Sequence, residues 1–461
     1  MSSLHEECGV FGIYSRKQSD IAKSVYYGLY ALQHRGQESA GIVICDDGLF
    51  YTHKDLGLVG DVFSKDTLDK LPAGSMAIGH VRYSTTGGNV RENCQPIVVN
   101  HQKGRLAVAH NGNLSNAFEL RSELEMKGAI FHSTSDTETI SYIVTQERIK
   151  HPSIEEAVSF AMDRLEGAYS LILMSATKMI ALRDAHGLRP LCYGKMDDDT
   201  YVIASESCAL EAVGAEFVRD IKPGEIVTFD SNGVHSNTHH CGSKEVRHCI
   251  FEYLYFARPD SVIDGVSVHK ARIMAGKIPA EKCPVDADLV IGVPDSGLDA
   301  ALGYSYYSGI PYAIGLIKNK YIGRTFISPE SDERSNLVKI KLNAIREVLD
   351  GKRIILIDDS IVRGTTSAKL VSLLREAGAK EVHMMSSAPE FLNPCYYGTD
   401  IDSRENLIAA NHTLEEIRDI IGVDSLHYLP LEDLKRLIGS SSYCVACFSG
   451  DYPTRFAVTN R

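Results

Sequence analysis

With 461 residues, 44% hydrophobic and 23% charged, the chain has an ordinary globular composition but exceeds what one hydrophobic core supports, so two domains are expected. A formal net charge of -12 with no basic tail argues against nucleic acid or an anionic membrane as a partner, and no run approaches the roughly 18 uninterrupted apolar residues of a membrane span. Eleven cysteines, an odd number scattered along the chain, fit a reducing cytoplasm better than a disulfide framework, and the leader MSSLHEE lacks the apolar stretch of a secretory signal.

The first stretch after the leader, CGVFGIYS, reads as a strand. Ile21 to Gln33 has apolar residues at Ile21, Val25, Leu29 and Leu32, a helical spacing that ends at HRGQESAG. AGIVICDD, GLFYTHKD, SMAIGHVRYST and RLAVAHNGN follow as short strands with glycine-bearing turns, which suggests an antiparallel meander. Helices are expected over Asn116 to Lys127, over Asp136 to Ile149, and in SIEEAVSFAMDRL, opened by a capping box of Ser153 and Glu156. The strands AYSLILMS, KMIALRD, YVIASES and EIVTFDS complete a β-rich half, read as two stacked sheets with helices outside.

Ser231 to Lys244 turns polar and reads as an exposed linker, and its histidine pair beside Cys241 has no second ligand pair nearby at metal spacing. Beyond it strands alternate with helices: ADLVIGVP, a helix around Gly297 to Ser308, YAIGLI, GKRIILIDD, SAKLVSLLREAGA and EVHMMSSAP. Continuously apolar strands each followed by a helix point to a parallel sheet covered on both faces. The C-terminal part holds the helix TLEEIRDIIG, with Thr413 and Glu416 as a capping box, then LEDLKRLIG and CVACFSG.

The most specific chemical signal is RIILIDDSIVRGTTS, Arg353 to Ser367. An apolar strand ends in Asp358 and Asp359 and runs through Ser360 and Arg363 into Gly364, Thr365, Thr366 and Ser367, which open a helix. Backbone N–H groups at a helix start cradle a phosphate, and the hydroxyls add donors. The paired carboxylates suit ribose hydroxyls or Mg²⁺, which prefers oxygen ligands. The Walker spacing is missing.

This stretch resembles the phosphoribosyl-pyrophosphate signature of type I phosphoribosyltransferases, in which the loop holds the 5′-phosphate and the acids face the ribose and its metal. The resemblance makes VPDSG, with Asp295, Ser296 and Gly297, the pyrophosphate loop, Ser296 lying near the metal. It makes LIKNKYIGRTF, with Lys318, Lys320 and Arg324, a mobile lid.

Such a domain needs a nucleophile for C1 of the sugar, and ammonia is one candidate. If residues 1 to 7 are removed, Cys8 becomes the first residue and carries a thiol beside a free α-amine of pKa roughly 7.7 to 8, a base for its own side chain. Alone, Cys8 reads first as one of many small buried apolar thiols. LQHRGQESAG with Arg35 and Gly36, GHVRYSTTG with Arg82, AHNGNLSN with Asn111 and Gly112, and STSDTE with Asp136 follow it in order. Together they resemble the glutaminase domain of N-terminal-nucleophile amidotransferases. On that resemblance Arg82 pairs the substrate carboxylate and Asp136 its ammonium, Arg35 and Gly112 join the glutamine site, and Asn111 with the Gly36 N–H forms an oxyanion hole.

A glutaminase followed by a phosphoribosyltransferase is similar to the amidophosphoribosyltransferase family, in its iron-sulfur type with an N-terminal propeptide. That resemblance implies an αββα sandwich over 8–235, a phosphoribosyltransferase domain with a mainly parallel sheet over 236–461, and a propeptide over 1–7. It implies a [4Fe-4S] cluster on Cys249, Cys395, Cys444 and Cys447, a Mg²⁺ at Ser296, Asp358 and Asp359, and a cytoplasmic homotetramer under feedback by purine nucleotides. From the residues alone CVAC could bind zinc or nothing, and Cys241 lies close enough to Cys249 to compete with it. The implied reaction joins glutamine hydrolysis at Cys8 to synthesis of 5-phosphoribosylamine from phosphoribosyl pyrophosphate, the first committed step of purine synthesis, with ammonia passing inside the protein. Another amidotransferase with a different second half, or a regulator that merely senses phosphoribosyl pyrophosphate, are the other readings. The Asp358 to Ser367 stretch argues against the first, and the lack of a basic helix-turn-helix segment against the second.

Overall fold

The computed structural model describes residues 8–83, 88–197, 199–319, 342–399, 401 and 403–454. Its first half is built on two antiparallel sheets. Seven strands are ordered Glu216–Asp220, Cys192–Asp197, Thr200–Ala204, Gly9–Ser19, Gly74–Arg82, Ser39–Asp46, Leu49–Leu56. Six more are ordered Gly233–Asn237, Ile226–Asp230, Met179–Arg183, Gly167–Met174, Gly104–Leu114, Ile97–His101.

The period-two alternation of the first strand explains the stacking. Val10 and Tyr14 point into a core shared with Ala107, Ala109 and Ile172 of the second sheet, whereas Phe11 and Ile13 point outward under helix Ile21–Ala31. Phe11 lies so close to Gly28 that a Cβ there would sit 2.3 Å from its ring, which brings helix and sheet together. On the far side Leu171 and Leu173 pack under helices Asp136–Lys150 and Ile154–Met162. The layers therefore run helix, sheet, sheet, helix.

The second half carries a four-stranded parallel sheet ordered Leu289–Gly292, Arg353–Asp358, Glu381–Ser386, Ser425–Tyr428. Ile355 and Ile357 pack with Ala300 and Tyr304 of helix Leu298–Ser308 on one face. Ile354 and Leu356 pack with Leu370 and Leu374 of helix Thr365–Glu376, and with Ile417 of helix Leu414–Ile421, on the other. The continuously apolar strands thus bury both faces, as parallel strands between helices must. No helix among the described residues is long and apolar enough to cross a membrane.

Several local expectations are corrected. The six-stranded sheet is a meander, but the seven-stranded one is not, because Gly9–Ser19 lies centrally between Thr200–Ala204 and Gly74–Arg82. Ser231 to Lys244 is no simple exposed linker: Gly233–Asn237 pairs with Ile226–Asp230 as an edge strand, and His240 is buried against Ser159 at 3.0 Å. An edge strand needs few apolar residues, which disguises it. YAIGLI is not a full parallel strand; Tyr312 bridges Val290, and Leu316–Lys318 pairs antiparallel with Leu342–Ala344. Ser153 accepts from the Glu156 N–H at 3.2 Å, whereas Thr413 and Glu416 form the complete reciprocal capping box.

Candidate active sites

Cys8 is buried at the entry to the central strand, and its Sγ donates to the Tyr83 carbonyl at 3.6 Å. Its own carbonyl accepts from Arg35 Nε at 3.1 Å. Arg35, expected at the glutamine site, is fully buried. Its Nη1 donates to Glu206 at 2.6 Å and to Glu252 at 2.9 Å, and its Nη2 to Glu252 at 2.7 Å. Burial opposes ionisation of Glu206, but His34 and Arg35 overcome it and hold the carboxyl far below the usual carboxylate range.

Gly36 lies against strand Gly74–Arg82, where a Cβ would fall 2.5 Å from the Val81 carbonyl carbon. Arg82 ends that strand, buried, with Nη1 donating to the Gly88 carbonyl at 3.3 Å. Asp136 opens helix Asp136–Lys150, where Oδ2 accepts from the Leu114 N–H at 3.0 Å and Oδ1 lies 3.5 Å from His110. Burial would raise this carboxyl, but His110, the Leu114 N–H and Arg82 outweigh it and hold it below the ordinary range. A fixed anion and a guanidinium in one field suit the ammonium and carboxylate of an α-amino acid.

Asn111 and Gly112 belong to strand Gly104–Leu114. Asn111 is wholly buried, yet among the described residues neither its Oδ1 nor its Nδ2 has a hydrogen-bond partner. Buried carboxamides are almost always paired, so an orphaned one is a group whose partner comes from elsewhere.

In the second half, a cavity of about 190 Å³ is lined by Ser296, Asp358, Asp359, Ser360, Arg363, Gly364, Thr365, Thr366 and Ser367, with Tyr255 completing its wall. Gly364 has a φ of 73°, a left-handed conformation suited to glycine, and no side chain caps the helix it opens. The first amides of Thr365–Glu376 therefore face the cavity side of a helix start, the ordinary chemistry of phosphate binding. Ser296 and Ser360 each donate to Asp359 at 2.5 Å, and the Asp359 N–H donates to Asp358 at 3.0 Å. Burial pushes both carboxyls up, and Asp359 adds to the rise of Asp358. Two buried acids that take part in no ion pair among the described residues, with a hydroxyl between loops, match the oxygen donor set of Mg²⁺.

Asp295, Gly297 and Lys318 do not line this cavity. Lys318 reaches Asp295 at 2.7 Å and ties the two loops together, while the Gly297 N–H donates to the Val293 carbonyl at 2.9 Å. Lys320 and Arg324, like residues 1–7, lie outside the described residues.

Cys249, Cys395, Cys444 and Cys447 line one enclosed apolar cavity together with Leu188, Phe251 and Phe391. Cys241 does not line it. Burial pushes the Cys444 thiol up to about 12, and the Cys447 thiol rises through burial and then through Cys395, Cys444 and Cys249. Among the described residues no three His, Cys, Asp or Glu side chains are gathered closely enough to hold a metal ion. The four thiols share this one void, and thiolates are the ligands that iron-sulfur clusters take.

Sequence reasoning missed Glu206, Glu252, His110 and Tyr255. For Glu252 a signal existed, a lone acid inside the apolar run CIFEYLYF.

Fold and sites together define a glutaminase sandwich joined to a phosphoribosyltransferase sheet, the class of glutamine amidotransferases. The family described as glutamine amidotransferase domain matches residues 80–212. The amidophosphoribosyltransferase of Methanocaldococcus jannaschii is 51% identical, over 97% of this chain and 98% of its own. That of Bacillus subtilis is 47% identical, over 98% and 95%. The solved structure of glutamine phosphoribosylpyrophosphate amidotransferase from B. subtilis, complexed with ADP and GMP, superposes with a TM-score of 0.91 at 46% identity, covering 98% of this chain and 99% of that one. The chain belongs to the amidophosphoribosyltransferase family, enzymes of purine biosynthesis.

Proposed function

We propose that this enzyme makes 5-phosphoribosylamine from glutamine, water and phosphoribosyl pyrophosphate, releasing glutamate and pyrophosphate. The observation that carries the glutaminase half is the buried carboxamide of Asn111, which has no hydrogen-bond partner among the described residues and lies on a strand of the sheet stacked against the one that Cys8 leads into. Residues 1–7 are a propeptide whose removal frees the Cys8 amine. The amine then takes the thiol proton, and the thiolate attacks the glutamine side-chain amide. Asn111 and the Gly36 N–H stabilise the oxyanion, Arg82 and Asp136 hold the amino-acid end, and Gly112 lets the strand approach. Ammonia leaves, and water hydrolyses the thioester.

Ammonia moves inside the protein from the unit over 8–235 to that over 236–461. There the 5′-phosphate lies on the Thr365 to Ser367 amides and hydroxyls, with Asp358 and Asp359 toward the ribose. Asp358, Asp359 and Ser296 would hold Mg²⁺, which when bound would supply positive charge to the departing pyrophosphate. Asp295 to Gly297 face that pyrophosphate, and Lys318, Lys320 and Arg324 close over it to exclude water, the competing nucleophile. Cys249, Cys395, Cys444 and Cys447 would hold a [4Fe-4S] cluster that cross-links segments distant in sequence. Feedback by purine nucleotides, a homotetramer and a cytoplasmic location complete the reading; the nucleotides in the B. subtilis complex support the first.

The test is stoichiometry. Purified enzyme given both substrates and Mg²⁺ should release glutamate and pyrophosphate one for one, whereas glutamate released at the same rate without phosphoribosyl pyrophosphate would contradict the coupling.

A further inference from the structure

We infer that Glu252 is a positioning residue for the Cys8 nucleophile, acting through Arg35; the inference rests on the glutaminase reading above. The thiol, the α-amine and the carbonyl of Cys8 share one Cα, so fixing the carbonyl fixes where the other two point. Arg35 Nε does this at 3.1 Å. The guanidinium is in turn set from two sides. Glu206 holds Nη1 at 2.6 Å from the N-cap of helix Ser207–Ala212, which follows strand Thr200–Ala204 of the sheet that Cys8 leads into. Glu252 takes both Nη1 and Nη2, at 2.9 and 2.7 Å, from residues beyond the last strand of the sandwich. A bidentate carboxylate fixes the plane of a guanidinium where a single contact leaves it free to turn.

Glu252 is itself held firmly. It opens a π-helical turn, Glu252–Phe256, a rare form found disproportionately at functional sites. Arg272 donates to the carbonyls of Tyr253, Tyr255 and Ala257 at 3.0, 2.8 and 2.7 Å, and Arg189 donates to Glu252 at 3.3 Å. Every one of these charged side chains is buried, so water does not compete for the contacts. A pair serving only to glue two halves could lie anywhere along their boundary. This one ends on the backbone of the nucleophile. The glutaminase is therefore completed by a residue that lies 217 positions beyond Arg35 in the sequence.

Glu252→Gln removes the charge and turns one acceptor into a donor facing an N–H. In the processed, full-length enzyme its kcat with glutamine should fall about 100-fold, the scale of a misplaced reacting group. The KM for glutamine should stay within twofold, because Arg82 and Asp136 are untouched. Synthesis from added ammonia should stay within twofold of wild type. Inactivation by a diazoketone analogue of glutamine, which alkylates the thiol, should slow in parallel, and Glu252→Asp should recover part of the loss. Should Glu252→Gln fail to fold, Arg35→Lys, which keeps the charge but loses the fork, carries the same comparison. Glutamine turnover within twofold of wild type, a loss confined to KM, or equal losses with glutamine and ammonia would each overturn the inference. A wild-type enzyme making no phosphoribosylamine from glutamine would instead overturn the glutaminase reading.

Discussion

Cys249 and Cys444 stand opposite each other in register on a two-residue parallel ladder, His248–Cys249 beside Tyr443–Cys444. Two segments far apart in sequence thereby deliver thiols to one void, and Cys395 and Cys447 complete its rim. Anaerobically purified protein should be brown, with iron and sulfide near four of each per chain. Cys444→Ser should bleach it and lower the melting temperature. A colourless, zinc-containing wild type would contradict the cluster.

Asn111→Ala removes a donor from the proposed oxyanion hole without removing a side-chain hydrogen bond among the described residues. The kcat with glutamine should fall by about 10² to 10³, with little change in KM. A variant that instead loses affinity, with kcat intact, would make Asn111 a binding group.

Asp136 is held below the ordinary carboxylate range, so it remains charged from neutral pH down through the usual titration of a free acid. The KM for glutamine should accordingly stay flat on the acid side until below about pH 4, and rise only there as the carboxyl protonates. Asp136→Asn should raise KM at every pH. A KM that climbs already near pH 6 would show that the carboxyl is not held in this way.

Gly364→Ala would force a left-handed residue to carry a Cβ, which would also fall 2.5 Å from Ile408 Cδ1. The strain alone is roughly 1–2 kcal/mol. The KM for phosphoribosyl pyrophosphate should rise roughly tenfold or more, while the reactivity of Cys8 toward a diazoketone stays unchanged. Unaltered phosphoribosyl pyrophosphate kinetics would remove the loop from the phosphate site.

The parts legible in the sequence are those whose chemistry is local. Asp358 to Ser367 must carry acids, glycine and hydroxyls at fixed offsets, and the folded chain wraps them around one cavity. The two stacked sheets were readable from the order of short strands with helices inserted between them, and Gly9–Ser19 places Val10 and Tyr14 in one core and Phe11 and Ile13 in another. What escaped is set by distance or by weak patterning. Glu206 and Glu252 meet Arg35 across 171 and 217 positions, and no periodicity reports such a meeting. Ser425–Tyr428 is too short to read as a strand, although it closes one edge of the parallel sheet. Arg35 showed its charge but not that its donors meet two buried carboxylates.

The central claim is that one chain holds two half-reactions, with Cys8 serving only the first. The direct measurement is synthesis of phosphoribosylamine by Cys8→Ala with glutamine and, separately, with ammonia. Glutamine-dependent synthesis should vanish while ammonia-dependent synthesis persists near the wild-type rate. Loss of both, or survival of the glutamine-dependent reaction, would contradict it.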